Sequence, residues 1–175
     1  MDSKGHILWV DDEIDMLRPH ILYLENKGYQ VTPVNTGEDA IHFCDGQNVD
    51  LVLLDEMMTG LDGLTTLKKI KEKDSSLPVI MITKNEEEWL MEEAIAAQIT
   101  NYLTKPVNPS QILIACKNVL ESQKIQSDRV AKDYLQSFQI IAELIENAES
   151  IEDWYTITDN LSDWFVKFDN LGDQG

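Results

Sequence analysis

Three uninterrupted runs of four apolar residues constrain the fold more than any other feature of the sequence. Runs this short and wholly apolar are typical of strands buried on both faces, as in a parallel sheet. Two weaker runs bring the number of predicted strands to five. The strong runs are Ile7–Val10, Leu51–Leu54 and Val79–Ile82, and the weaker ones are Gln30–Val34 and Tyr102–Leu103.

Amphipathic segments with helical spacing of their apolar residues separate these runs. The last segment has the clearest start, because Asn108 can cap it, Pro109 suits its first position and Gln111 its third. The repeated alternation of strand and helix predicts a doubly wound α/β sheet, in which ligands bind at the carboxyl ends of the strands. The predicted helices lie at about 14–27, 37–45, 63–72, 86–97 and 109–121.

The sequence changes character after Gln123, where the strand signals cease. Two amphipathic helices follow, the second opened by the pair Ser150 and Asp153 in a capping-box-like pattern. Two helices so rich in aromatic residues need a third helix, a second copy or the first domain to cover them. We therefore expect one α/β domain at residues 1–123 and a small α-helical extension at 124–175, which looks like part of a truncated bundle.

Charge and composition exclude several classes of protein. The chain has 32 acidic and 14 basic residues, and it is acidic on both sides of Gln123, so direct binding of nucleic acid is not expected. No apolar run approaches the ~18 residues of a membrane span, and no secretory signal is present. Cys44 and Cys116 form no CxxC or Cys/His pattern, which argues against a disulfide scaffold or zinc site. We expect a cytoplasmic location.

Polar residues stand at the ends of four of the predicted strands. Asp11 and Asp12 come after the first strand, Asp55 after the third, Thr83 after the fourth and Lys105 after the fifth. Three converging carboxylates repel one another, and a divalent cation with oxygen ligands, such as Mg²⁺, would offset that cost. The ammonium and hydroxyl groups suit a phosphoryl group, and a carboxylate beside Mg²⁺ can attack phosphorus to give an aspartyl phosphate.

Four segments carry a resemblance to a known family: Ile7–Glu13, Asp55–Gly63, Thr83 and Tyr102–Pro106. On these segments residues 5–121 resemble the receiver domain of two-component response regulators. The resemblance implies a flavodoxin-like sheet with strand order 2-1-3-4-5. It also implies that residues 1–123 are a phosphoacceptor that loses its phosphoryl group slowly and is not an enzyme, with a sensor histidine kinase as the donor.

The resemblance assigns roles to the residues at the strand ends. It implies that Asp55 accepts the phosphoryl group and that Lys105 pairs with the phosphoryl oxygens. It implies a Mg²⁺ site, which we expect Mn²⁺ to occupy as well. Its ligands would be Asp12, Asp55 and the main-chain carbonyl of Met57, with Asp11 acting mostly through water.

A switch is implied as well. Thr83 would move towards the phosphoryl group and Tyr102 would follow it inward. This coupling would reshape the face formed by residues 86–97, the fifth strand and residues 109–121, and so control output or dimerisation. The bond from Lys105 to Pro106 would be cis.

Three positions depart from the family pattern. Thr59 replaces the usual proline, which we expect to make the loop after Asp55 less rigid, and Gln98-Ile99 replaces the usual Gly-Ala. Lys84 replaces the small residue that usually follows the switch threonine, and it would contact the phosphoryl group or restrict the access of water. These changes bear on the lifetime of the phosphorylated state.

A finer similarity covers the whole chain. The sequence around Trp9, at Met16–His20 and at Thr104–Pro109 is similar to that of PorX-type regulators. That family joins a receiver to a helical bundle and a PglZ domain of the alkaline-phosphatase superfamily, and it is linked to type IX secretion in Bacteroidetes. The large domain is absent here, so we expect a fragment of a longer protein whose enzymatic output domain is missing.

Two other functions remain open. A Mg²⁺-dependent phosphohydrolase would also use an aspartyl nucleophile, although many such enzymes carry a second Asp two residues later, where this chain has Met57. A degenerate receiver would act only as a binding module, although all five site residues are present. The expected partners are the kinase, a second copy of the chain and a downstream protein.

Overall fold

The computed structural model describes residues 3–84 and 98–172, with side chains described up to residue 166. The chain divides into two compact units, Met1–Glu121 and Ser122–Gly175. The helix predicted at 86–97 lies outside the described residues, as does the side chain of Phe168. None of the helices in the described part combines the length and apolar character needed to cross a membrane.

Five strands and five α-helices make up the described elements. The strands are β1 (His6–Val10), β2 (Gln30–Val34), β3 (Leu51–Asp55), β4 (Val79–Thr83) and β5 (Asn101–Thr104). The helices are α1 (Arg18–Asn26), α2 (Gly37–Gly46), α3 (Gly63–Lys73), α4 (Pro109–Glu146) and α5 (Ile151–Gly172), with a 3₁₀ turn at Ile14–Leu17 before α1.

The strands form one parallel sheet in the order β2-β1-β3-β4-β5, which confirms the expected topology. Each predicted apolar run lies within one of these strands. Pro33 lies in β2, which is an edge strand of the sheet. Proline is tolerated in edge strands because they pair with a neighbour on one side only. The direction of the strands brings all their carboxyl ends to one edge.

The three central strands of the sheet, β1, β3 and β4, are buried on both faces, as their wholly apolar runs predict. Alternate residues of β1 point to opposite faces: Ile7 and Trp9 pack with α1 and the start of α4, while Leu8 and Val10 pack with α2 and α3. All four are fully buried. The helix residues of the first face include Ile21, Leu24, Ile112, Cys116 and Val119, and those of the second include Ala40, Leu67 and Ile70.

Helix α4 begins as the sequence predicts but does not end there. The Gln111 N–H donates to Asn108 Oδ1 at 2.9 Å and the Asn108 N–H donates to Gln111 Oε1 at 3.2 Å, which confirms the cap. The helix then continues for 38 residues to Glu146, so the prediction that it ends near 121 is wrong. Its interior has no glycine and no proline after Pro109, so nothing in the chain stops it.

The predicted helix at 14–27 is also corrected. The structure has a 3₁₀ turn at Ile14–Leu17 and an α-helix that starts only at Arg18. Pro19 lies in the first turn of α1, where its missing N–H costs no helical hydrogen bond. Further inside a helix, a proline would remove one main-chain hydrogen bond.

The second unit consists of the end of α4 together with α5. The Ser150 N–H donates to Asp153 Oδ2 at 2.8 Å and the Asp153 N–H donates to Ser150 Oγ at 3.2 Å, so the predicted capping box is confirmed. The Trp164 ring meets the Tyr134 and Phe138 rings edge-on, at centroid distances of 6.2 and 5.9 Å. Several large apolar side chains of this unit stay exposed: Leu135, Phe138, Ile140, Ile145, Ile151, Trp154, Tyr155, Phe165 and Val166.

Candidate functional site

The predicted site residues meet at the carboxyl edge of the sheet. Asp11 follows β1, Asp55 ends β3, Thr83 ends β4 and Lys105 follows β5. The first three are almost completely buried. These four strands are parallel and lie side by side in the sheet, so their carboxyl ends bring the polar groups into one crevice.

Three carboxylates form a cluster that fits a metal ion. Asp11, Asp12 and Asp55 each offer one oxygen, and these atoms all lie within 4.8 Å of one another. Hard divalent cations such as Mg²⁺ prefer oxygen ligands of this kind. The cluster therefore has the donor set and the spacing for a single cation.

Lys105 reaches into the same cluster. Its Nζ atom lies 2.8 Å from Asp55 Oδ2 and 3.3 Å from Asp11 Oδ2. Burial lowers the pKa of Lys105, but the hydrogen bonds and charges of the two carboxylates outweigh burial and raise that pKa above its usual value. Burial raises the pKa of Asp55, while Lys105 pulls it down in part. The site thus holds a firmly cationic ammonium beside a carboxylate that has lost most of its water.

Asp12 is held by the loop that follows β3. The Thr59 N–H donates to Asp12 Oδ2 at 2.9 Å. This hydrogen bond is the main reason that the pKa of Asp12 lies below its usual value, against the opposing effect of burial. A proline at position 59 would have no N–H to donate, so the threonine found here supplies a contact that the usual residue cannot.

Gly63 fixes the other end of that loop. A Cβ atom at this position would lie 2.2 Å from the Asp55 carbonyl oxygen and 2.7 Å from Glu56 Cα, both of them main-chain atoms. The Gly63 N–H also donates to the Glu56 carbonyl at 2.9 Å. Only glycine allows the start of α3 to approach the end of β3 this closely.

A contact of Glu56 was not predicted from the sequence, and neither was the hydrogen bond from Thr59 to Asp12. The Thr83 hydroxyl donates to the carboxylate of Glu56, which is half-buried. The only signal in the sequence was the place of Glu56 directly after Asp55. The contact depends on the register of β3 against β4, which pairs Asp55 with Ile82 and so aligns the next residue of each strand.

The remaining predicted residues lie around the cluster. Lys84 is exposed. It lines a cleft of about 470 Å³ together with Lys105 and Asp11, so this cleft adjoins the carboxylate cluster. Tyr102 on β5 is 42% exposed, and the side chain of Met57 also points away from the core. The peptide bond from Lys105 to the next residue is cis, as the resemblance implies.

Comparison with known proteins identifies the family. The model of the response regulator receiver domain matches residues 7–117. The chain belongs to the response regulator receiver domain family. Its relatives include the transcriptional regulatory protein ResD of Bacillus subtilis, 36% identical over 118 residues, which are 67% of this chain and 49% of ResD. The regulatory protein VanR of Enterococcus faecium is 34% identical over 118 residues, 67% of this chain and 51% of VanR.

Solved receiver structures have the same fold as the first unit. A CheY-like receiver domain protein from Methanospirillum hungatei is 27% identical with a TM-score of 0.64, over 70% of this chain and 98% of that one. The response regulator TrrA of Thermotoga maritima, solved in complex with Mg²⁺ and BeF, is 26% identical with a TM-score of 0.59, over 66% of this chain and 98% of that one.

The receiver chain spans about half the length of the curated relatives named here. These relatives are regulators by name and not enzymes. The receiver match ends at residue 117, so it covers none of the second unit.

Proposed function

We propose that this chain is the phosphorylation-controlled switch of a two-component system and that Asp55 accepts the phosphoryl group from a sensor histidine kinase. One observation carries the proposal: Asp55 lies in a cluster of three carboxylates while an ammonium stands 2.8 Å from one of its oxygens. An ion pair made only for stability would not need two further carboxylates beside it.

The transfer uses groups that the crevice already holds. A carboxylate oxygen of Asp55 forms a bond to phosphorus, and the bond from phosphorus to the imidazole nitrogen of the donor histidine breaks. That nitrogen keeps the electron pair and takes up a proton from water. Lys105 pairs with the phosphoryl oxygens and offsets the charge that the group brings.

Asp12, Asp55 and the main-chain carbonyl of Met57 are the proposed ligands of Mg²⁺, with Asp11 acting mostly through water, and Mn²⁺ is expected to substitute. The oxygen-only cluster supports this assignment. When bound, the cation neutralises the carboxylates and draws charge from the phosphoryl oxygens. The Thr59 N–H holds Asp12 in place for this role.

Thr83 and Tyr102 are the proposed switch. Thr83 is buried at the end of β4, where its hydroxyl donates to the Glu56 carboxylate, and Tyr102 is partly exposed on the neighbouring strand β5. A hydroxyl that turns towards the phosphoryl group leaves space for the tyrosine ring to turn inward. The exposed Lys84 adds a cation near the mouth of the crevice and narrows the path of attacking water.

The helical unit is the proposed site of self-association. Many of its large apolar side chains are exposed, and a second copy of the same unit would complete a four-helix arrangement around them. Alternatively, a further domain or a downstream protein would cover these exposed side chains. The net charge of −18 argues against nucleic acid as a direct partner of this chain.

Two finer assignments accompany this proposal. The unpaired Cys44 and Cys116 support a cytoplasmic location. The segments Met16–His20 and Thr104–Pro109, followed by two long helices, support a similarity to PorX-type regulators and to secretion control. Under that assignment an output domain belongs to the full-length protein.

Labelling with acetyl phosphate tests the proposed function. The unmodified chain should take up one acid-stable, base-labile phosphoryl group in a Mg²⁺-dependent way, and Asp55→Asn should take up none. Asp15→Asn, which removes an exposed carboxylate outside the cluster, is the matched control and should label normally. Sustained turnover of phosphomonoesters would favour the phosphohydrolase, and no labelling at all would favour a binding module.

A further inference from the structure

The Glu56 carboxylate contacts the proposed switch residue and belongs to the residue that directly follows the proposed phosphoacceptor. Glu56 directly follows Asp55 in the chain, and its carboxylate accepts a hydrogen bond from the Thr83 hydroxyl. Glu56 is half-buried, and Thr83 is 1% exposed. The buried hydroxyl that is proposed to bind the phosphoryl group therefore already donates a hydrogen bond to the Glu56 carboxylate.

The main chains on both sides of this contact are fixed. The Glu56 N–H donates to the Ile82 carbonyl at 3.0 Å, and the Glu56 carbonyl accepts from Gly63 at 2.9 Å. The Thr83 carbonyl accepts from the Lys105 N–H at 2.7 Å. Since both backbones are held by the sheet and its loops, an exchange of partner by the hydroxyl takes place through rotation of side chains.

We propose that Glu56 is a positioning residue that holds the Thr83 hydroxyl away from Asp55 until the phosphoryl group arrives. This inference rests on the proposed function. A phosphoryl group adds a charge of about −1.5 to −2 and strong acceptor oxygens. It competes for the hydroxyl and repels the Glu56 carboxylate at the same time. The contact with Glu56 is thus made in the unphosphorylated state and lost in the phosphorylated one.

Removing the carboxylate should shift the equilibrium towards the phosphorylated arrangement. Hydrogen bonds to charged groups are stronger than those between neutral groups, so Glu56→Ala should tighten the binding of Mg²⁺–beryllofluoride by about tenfold. Glu56→Gln keeps an acceptor but removes the charge, so it should tighten binding by less than the alanine variant. An effect of charge alone would make the two variants equal.

A double-mutant cycle measured by calorimetry in the presence of Mg²⁺ separates these cases. Glu56→Ala should tighten beryllofluoride binding about tenfold in the unmodified chain and by clearly less in the Thr83→Ala background, where only the repulsion between the two anions is removed. Glu72→Ala, which removes an exposed carboxylate on α3, is the control and should have no effect in either background. Urea unfolding of each variant establishes that it is folded, and Glu56→Gln takes the place of the alanine variant if that one is not.

Two results would overturn the inference alone. They are equal tightening by Glu56→Ala in both backgrounds, or no tightening by either Glu56 variant while the unmodified chain binds beryllofluoride. Failure of the unmodified chain to bind beryllofluoride would instead overturn the proposed function, and this inference with it.

Discussion

The Nζ atom of Lys105 lies 2.8 Å from Oδ2 of Asp55, so an ion pair joins the residue after the last strand to the end of the middle one. The same ammonium lies 3.3 Å from Asp11 Oδ2. Among the described residues, the ammonium of Lys105 thus faces a cluster of three carboxylates that it does not neutralise. The excess negative charge is what a divalent cation would balance.

The first prediction concerns this charge balance. Lys105→Met keeps the length of the side chain but removes the cation, so the carboxylates lose a partner at a site that is mostly buried. We expect the free energy of unfolding without metal to fall by about 1–3 kcal/mol. Added Mg²⁺ should then stabilise the variant more than it stabilises the unmodified chain, because the metal no longer competes with an ammonium. Urea unfolding with chelator and with saturating Mg²⁺ measures both effects.

Lys73→Met is the matched control for that experiment. It removes a cation from an ion pair with Asp45 in which both side chains are exposed. We expect its stability to change by no more than about 1 kcal/mol and its response to Mg²⁺ to stay the same. A gain from Mg²⁺ that is smaller in Lys105→Met than in the unmodified chain would contradict the proposed metal site.

The second prediction concerns the close approach of Gly63 to the end of β3. Gly63→Ala places a Cβ atom 2.2 Å from the Asp55 carbonyl oxygen, so the loop or the helix must shift. We expect the free energy of unfolding to fall by about 1–3 kcal/mol and phosphorylation to be lost. Gly46→Ala is the control, since its Cβ would meet nothing within 4 Å and should change stability by no more than about 1 kcal/mol. Equal effects of the two substitutions would contradict the account of the loop.

The sheet could be predicted from the sequence because its strands are short, wholly apolar runs. Their polar neighbours then placed Asp11, Asp55, Thr83 and Lys105 at one edge. The length of α4 could not be predicted in the same way, since a change in composition near Gln123 resembles a boundary while the backbone continues as one helix. A glycine or proline would have marked a helix end near Gln123, and this segment has neither.

The contacts of Glu56 and Thr59 lay beyond sequence reasoning for a different reason. Each depends on the relative placement of two segments that are far apart in the chain. The partner of Glu56 is 27 positions away and that of Thr59 is 47 positions away. Periodicity and motif spacing give the strand ends but not which side chains meet across them.

The third prediction concerns Lys84 and the lifetime of the phosphorylated state. Lys84→Ala removes an exposed cation that lines the cleft beside Lys105, so the phosphoryl group loses an attraction of about 0–1 kcal/mol and water gains access. We expect the half-life of the aspartyl phosphate to shorten by a few-fold at most, measured as the decay of label after removal of the donor. Lys69→Ala, at an exposed site on α3, should leave the half-life unchanged. A longer half-life in Lys84→Ala would rule out restricted access as the controlling effect.

The fourth prediction concerns the exposed apolar side chains of the second unit. Leu135 and Tyr155 are 67% and 68% exposed, and burial of one such side chain contributes about 1.5–3 kcal/mol. In the full chain, the double variant Leu135→Ser, Tyr155→Ser should lower the average mass found by light scattering. Leu22→Ser, which alters an exposed leucine of α1, should leave the mass unchanged. An unmodified chain that is monomeric with and without beryllofluoride would contradict self-association through this unit.

Reductive trapping of the phosphorylated chain tests the central claim most directly. Borohydride converts an aspartyl phosphate into homoserine, and peptide mass spectrometry then locates the converted residue. After treatment with acetyl phosphate and Mg²⁺, we predict homoserine at position 55 and at no other aspartate. Conversion at position 11 or 12, or phosphorylated chain with no homoserine anywhere, would contradict Asp55 as the phosphoacceptor.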